Sequence, residues 1–176
     1  METERPDVLT GLHHSDRQPT CKQRVRAHYT DRMTDLRELL HAAQNQGEPC
    51  RVCKGTGEVG KYACEYCEGG TYPEDTPLNE YGLCVDYVAP GTFKRQTRGY
   101  LRYQLSTGGP GDEFRYFLDE RRKPVRIEYW FLDWFDGAKV TVRPESADWE
   151  TLTDLFADWD DCGMVTHWLE AGEGEA

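Results

Sequence analysis

Two short cysteine pairs constrain this chain more than any other feature: Cys50-Arg-Val-Cys53 and, ten residues further on, Cys64-Glu-Tyr-Cys67. Each C-x-x-C lets the backbone fold into a tight knuckle that brings two sulfurs within range of one ion. Two knuckles complete a closed tetrahedral thiolate site. The pattern predicts one structural zinc ion held by Cys50, Cys53, Cys64 and Cys67, with two disulfides or free thiols as the alternatives. Gly55 and Gly57 follow the first pair, Gly69 and Gly70 the second. They allow the positive-φ turns that aim backbone amides at sulfur. A closed site leaves no position for water, so it stabilises without catalysing.

The run Cys50-Arg-Val-Cys53-Lys-Gly-Thr-Gly57 resembles the C-x-x-C-x-G-x-G repeat of DnaJ-type cysteine-rich zinc domains. The second pair departs from it, because Cys67-Glu-Gly69-Gly70-Thr71 lacks the final glycine. The resemblance spans about 20 residues, holds two repeats, and lacks a J-domain His-Pro-Asp. It implies a metal site rather than chaperone work.

Residues 1–19 are polar, include Pro6 and Pro19, and predict a disordered N-terminus. Val25, Tyr29, Met33, Leu36, Leu40 and Ala43 then recur at steps of three and four. They predict an amphipathic helix from about Cys21 to Asn45 within residues 20–47, capped by Thr20 and stopped at Gly47. The metal lobe occupies 48–72, and Pro73 and Pro77 mark a connection.

Between Tyr81 and Val142 the period changes to two. Leu101, Tyr103 and Leu105 alternate with polar residues, as do Phe114, Tyr116 and Leu118. Val125, Ile127, Tyr129 and Phe131 do the same, followed by Val140 and Val142. Turn signals at Gly108-Gly109-Pro110-Gly111, Arg122-Lys123-Pro124 and Asp136-Gly137 make this an antiparallel meander, with Leu83–Val88 as an added first strand. Ser146 caps a closing helix with Trp149, Leu152, Phe156 and Trp159 on one face, and Gly163 ends it. The unit 81–169 is thus a sheet with a C-terminal helix, and 170–176 a flexible acidic tail. The expected fold is α+β: an antiparallel meander sheet, an N-terminal and a C-terminal helix on one of its faces, and a small zinc-binding lobe. Hydrophobic residues are only 38% of the chain, but aromatics reach 12%, so the core is expected to be aromatic.

The formal charge is −11, and zinc with four thiolates would add a net −2. Such a balance opposes direct contact with nucleic acid or anionic membrane and favours a protein partner with a basic surface. Charge is also segregated. Arg17–Arg37 holds six Lys/Arg and two Asp, whereas Pro144–Ala176 holds ten acids and no Lys or Arg. No apolar run approaches the roughly 20 residues of a membrane span. Met1–Gln18 carries no signal-peptide stretch, so the expected location is the cytoplasm, the host's if the gene is phage-borne.

No catalytic constellation is legible, and the chain is not expected to be an enzyme. Ser106-Thr-Gly-Gly109 lacks the ending of a phosphate loop and reads as a hairpin connection. Asp133 and Asp136 could form a carboxylate pair, but they sit in a turn without a third group. The five histidines show no metal spacing with one another. Cys21, Cys84 and Cys162 read as small buried hydrophobes.

The runs Leu105-Ser-Thr-Gly-Gly-Pro-Gly-Asp-Glu-Phe114 and Tyr129-Trp-Phe-Leu-Asp-Trp-Phe-Asp-Gly137 resemble short runs in small proteins carried by phages and other mobile elements. The resemblance covers roughly Gly99–Trp159 and implies an accessory role, in some cases against host defence. Glu150, Asp154, Asp158 and Asp161 recur at steps of four and three and could imitate phosphates along a helix. Trp130, opposite Tyr129 in the alternation, could expose an aromatic contact. The expectation is a non-enzymatic zinc protein that inhibits a nucleic-acid-targeting defence complex, a CRISPR effector or a restriction enzyme, through this acidic surface. The alternatives are a zinc-dependent nucleic-acid-binding protein using Lys22, Arg24, Arg26 and Arg32 with Arg51 and Lys54, and a DnaJ-like partner-binding adaptor.

Overall fold

The computed structural model describes residues 19–75 and 78–173. The expected disordered stretch before Pro19 and the last three residues of the expected acidic tail lie outside the described residues. Helix α1 spans Cys21–Gln44. Its start is a capping box, in which Gln23 Oε1 accepts the Thr20 backbone N–H at 2.9 Å. Val25, Tyr29, Met33, Leu36 and Leu40 form the buried stripe. Near the end of the helix Ala42, not Ala43, is buried, because there α1 turns a second side to the cysteine lobe.

The lobe carries a minimal hairpin, β1 (Glu58–Val59) and β2 (Tyr62–Ala63). A one-turn helix α2 (Leu78–Tyr81) leads into the sheet. Its strands are β3 (Cys84–Val88), β4 (Tyr100–Ser106), β5 (Gly111–Leu118), β6 (Pro124–Asp133) and β7 (Asp136–Thr141). They pair antiparallel in chain order, the expected meander. Period-two alternation sends Leu101, Tyr103, Leu105, Phe114, Tyr116, Ile127, Tyr129 and Phe131 to one face. Val125, expected inward, is exposed beside a register shift between Phe117 and Leu118.

Two helices follow the sheet where one was expected: α3 (Ala147–Asp161) and α4 (Met164–Glu173). The Ser146 hydroxyl accepts the Trp149 N–H at 3.2 Å and starts α3. Gly163, at φ 79°, ends it, but the chain re-enters helix at once. Val165 is fully buried, and Trp168 meets Trp159 edge-on at 5.7 Å. Glu170–Glu173, expected in the tail, therefore belong to α4. The result is α+β: α1 covers β6 and β7, α4 covers β3, and α3 packs against both helices.

The core between these layers is aromatic. Tyr29, Tyr129 and Phe114 cluster with centroids 5.1–6.5 Å apart. Tyr103 and Tyr116 pack around Trp159 at 5.0 and 5.9 Å. Among the described residues no helix is long and apolar enough to cross a membrane.

Candidate metal centre

The four Sγ atoms of Cys50, Cys53, Cys64 and Cys67 lie within 4.8 Å of one another, and none is in a disulfide. Cys50 and Cys64 sulfurs are 3.8 Å apart, Cys53 and Cys67 sulfurs 3.5 Å. A metal bonded to four thiolates at about 2.3 Å sets its sulfurs roughly 3.8 Å apart in a tetrahedron. The donor set and its spacing therefore fit one ion. Disulfides, whose sulfurs sit about 2.05 Å apart, do not fit this spacing.

Local sequence builds the cage. Lys54, Gly55 and Gly57 hold positive φ after the first pair, as Gly69 and Gly70 do after the second. The first turn brings the Gly57 N–H to 3.3 Å from Cys53 Sγ. The knuckles are then tied together by Cys64 N–H to the Gly57 carbonyl at 2.9 Å and Cys50 N–H to the Gly70 carbonyl at 2.7 Å. A methyl group at Gly70 would overlap the Gly55 carbonyl. Burial works to raise the Cys53 thiol, but the Gly57 amide and the Cys67 and Cys50 thiols outweigh it and bring it to about 6. Burial and the neighbouring thiols push Cys67 up to about 12.

The lobe is docked on the second half of α1. Glu38 takes both arms of Arg51, each at 2.9 Å. Asp35 accepts the Tyr66 hydroxyl at 3.1 Å from the lobe and the Tyr81 hydroxyl at 2.8 Å from α2. Ala42 and Tyr72 close the apolar side, and Tyr72 Oη accepts the Arg51 N–H at 3.0 Å.

The other residues singled out from sequence fall on separate surfaces. Glu150, Asp154, Asp158 and Asp161 are all exposed on α3. Burial, then Asp154 and Asp161, raise the Asp158 carboxyl. Trp130 does not join them. It lies on the sheet face away from the helices, where Lys139 and Arg115 sit over its ring. The basic first helix is largely neutralised within the chain. Arg24 pairs with Asp133 at 2.8 Å, Arg32 with Asp112 at 2.7 Å, and Arg37 with Asp148. Asp136 accepts the Cys21 N–H at 2.7 Å and so caps α1. The Asp133/Asp136 pair thus anchors a helix. Cys21 is buried as expected, but Cys84 and Cys162 are exposed.

No family model, curated protein or solved structure matches this chain. Sequence reading missed the cations that assemble on the outer sheet face. Their signal was the polar half of each alternation, Arg102, Arg115 and Arg126, which served only to mark the period.

Proposed function

We propose that this chain is a zinc-stabilised, non-catalytic binding protein that meets a basic protein surface through the carboxylate row of α3. Four thiolates with no fifth donor among the described residues suit zinc in a structural role. The observation that carries the partner reading is the row itself. Glu150, Asp154, Asp158 and Asp161 are exposed and have no cationic partner among the described residues. Nearby Asp148 and Asp160, by contrast, are paired with Arg37 and Lys123. Unrelieved repulsion on one helix face is offset when a partner supplies the positive charge.

The narrower form of the proposal is an inhibitor of a defence complex of the anti-CRISPR or anti-restriction type, acting in the host cytoplasm. Its support is the resemblance of Gly99–Trp159 to mobile-element proteins, together with carboxylates spaced along one helix. A phage-interference assay tests it. Expression should restore infection against a CRISPR or restriction system, and Asp154→Lys/Asp158→Lys should abolish the rescue. Full protection of the host across the systems tried would reject the narrower form for those systems. Pull-down of a basic partner that the double variant fails to capture would still support the broader one.

A second reading has one observation in its favour. The lobe's hairpin leaves Val59 and Tyr62 exposed, as an adaptor contact would. Tyr62→Ser should abolish partner capture under that reading and leave it intact under the first.

A further inference from the structure

A cavity of about 620 Å³ lies between the outer face of the sheet and the connection of residues 89–99. Seven of the chain's 21 Lys and Arg line it, against two carboxylates. Arg102, Arg115, Arg126 and Lys139 come from four successive strands, β4 to β7. Lys94, Arg95 and Arg98 come from the connection and are exposed. The two carboxylates, Glu113 and Glu128, are 4% and 3% exposed and already engaged: Glu113 by Arg115 at 2.6 Å, Glu128 by Lys139 at 2.8 Å and Trp130 Nε1 at 3.0 Å. Lys94, Arg95 and Arg98 have no carboxylate partner among the described residues. Arg102 is held by both oxygens of Asp86, and Arg126 shares Glu128 with Lys139, so the charge without a carboxylate partner lies on the connection. On a chain of charge −11 this is still a cationic island.

Aromatic rings are interleaved with the cations. The Arg115 guanidinium lies 4.1 Å from the Trp130 centroid and 4.8 Å from that of Tyr100. Arg126 lies 3.8 Å from the Phe117 centroid. Phe93 is exposed on the connection. Tyr100 is 2% exposed, and its hydroxyl has no hydrogen-bond partner among the described residues.

We propose that this face binds single-stranded nucleic acid. Four strands at about 4.8 Å spacing carry the cations over roughly 14 Å, a track rather than a single anion hole. Cations along a groove hold phosphodiesters while rings stack on bases, which is how single strands are bound without sequence preference. Exposed Phe93 and half-buried Trp130 are the rings placed to stack, while Tyr100 and Phe117 are buried beneath the arginines. The connection walls one side of the track, which suits a flexible strand and not a duplex. The acidic surface elsewhere confines contact to this track. The proposal is independent of the carboxylate row, since α3 packs on the opposite face of the sheet.

The test is fluorescence anisotropy with labelled oligo-dT and oligo-rU of about twelve nucleotides, titrated with the full chain at roughly 50 mM salt. Saturable binding is expected, with a log–log salt slope of about −2, as for three phosphate contacts. Lys94→Glu/Arg95→Glu/Arg98→Glu, at exposed positions without internal ion pairs, should weaken it at least tenfold, and Trp130→Ala should weaken it too. Lys22→Glu/Arg26→Glu on α1 should leave it unchanged. The proposal is overturned by no anisotropy change up to about 100 μM, the weak end of non-specific affinities. It is also overturned if the loop variant binds normally, or if AMP or polyglutamate competes as well as the oligonucleotide. Those last two outcomes would assign the face to a small phosphate ligand or an acidic peptide. A negative result leaves the α3 proposal standing.

Discussion

Arg32 and Asp112 meet in a two-point ion pair, Nε to Oδ2 at 2.7 Å and Nη2 to Oδ1 at 3.0 Å. Asp112 also accepts the Tyr129 hydroxyl at 2.8 Å and the Ser106 hydroxyl, so one buried carboxylate ties α1 to β4, β5 and β6. Removing one side of a buried pair strands the other. Asp112→Asn should therefore cost about 3 kcal/mol, and Tyr129→Phe about 1 kcal/mol. Both should appear in denaturant unfolding as a lower midpoint with an unchanged slope. Losses below about 0.5 kcal/mol for both would remove the network from the stability account.

The same carboxylate sets a pH dependence. Burial works to raise its pKa, but the Arg32 guanidinium and the Ser106 and Tyr129 hydroxyls outweigh it and hold it below the ordinary range. A group depressed on folding contributes fully above its unfolded value, about 3.9, and loses that contribution as pH falls through the folded one. The stability gap between wild type and Asp112→Asn should be level above about pH 5 and shrink below about pH 4. A gap that widens in acid would contradict the assignment.

Metal removal should act locally first. The purified chain should hold about one equivalent of zinc, and Cys64→Ser should lose it. Elemental analysis separates zinc from iron, which a four-sulfur site also accepts. Gly70→Ala should weaken zinc binding at least tenfold, because its Cβ meets the Gly55 carbonyl at a positive φ of 103°. Competition with a chromophoric chelator reads both variants. Native zinc affinity in Gly70→Ala would show that the two knuckles need not approach so closely.

Neutralising the α3 row should separate stability from binding. Asp154 and Asp158 are four residues apart, and like charges at that spacing cost a few tenths of a kcal/mol. Asp154→Asn/Asp158→Asn should raise the melting temperature slightly while weakening partner capture. A variant that is less stable would mean that the row has an internal role.

Much of this architecture was legible in the sequence because it is local. The cysteine spacing, the α1 stripe and the period-two runs each lie within a few dozen residues. Gly163 was read as a full stop, although Val165, Trp168 and Leu169 beyond it carry helical spacing and pack on the core. The fate of α1's cations was hidden for a different reason. Arg24, Arg32 and Arg37 find carboxylates 80 to 111 positions away, and no periodicity reports such pairings. The outer-face island likewise gathers cations from four strands and a connection. The row on α3 could be read, but Trp130's separation from it required knowing which face the helices cover.

The two ends of α1 will also differ in time. Its second half is held by Arg51 and Tyr66, 13 and 31 positions away, whereas its first turns wait for Asp133 and Asp136, 109 and 115 positions away. Short closures form sooner than long ones. A nascent chain supplied with metal should therefore order this helix from its C-terminal end backwards. Pulse-labelled hydrogen exchange would show amides near Ala42 protected before those near Val25.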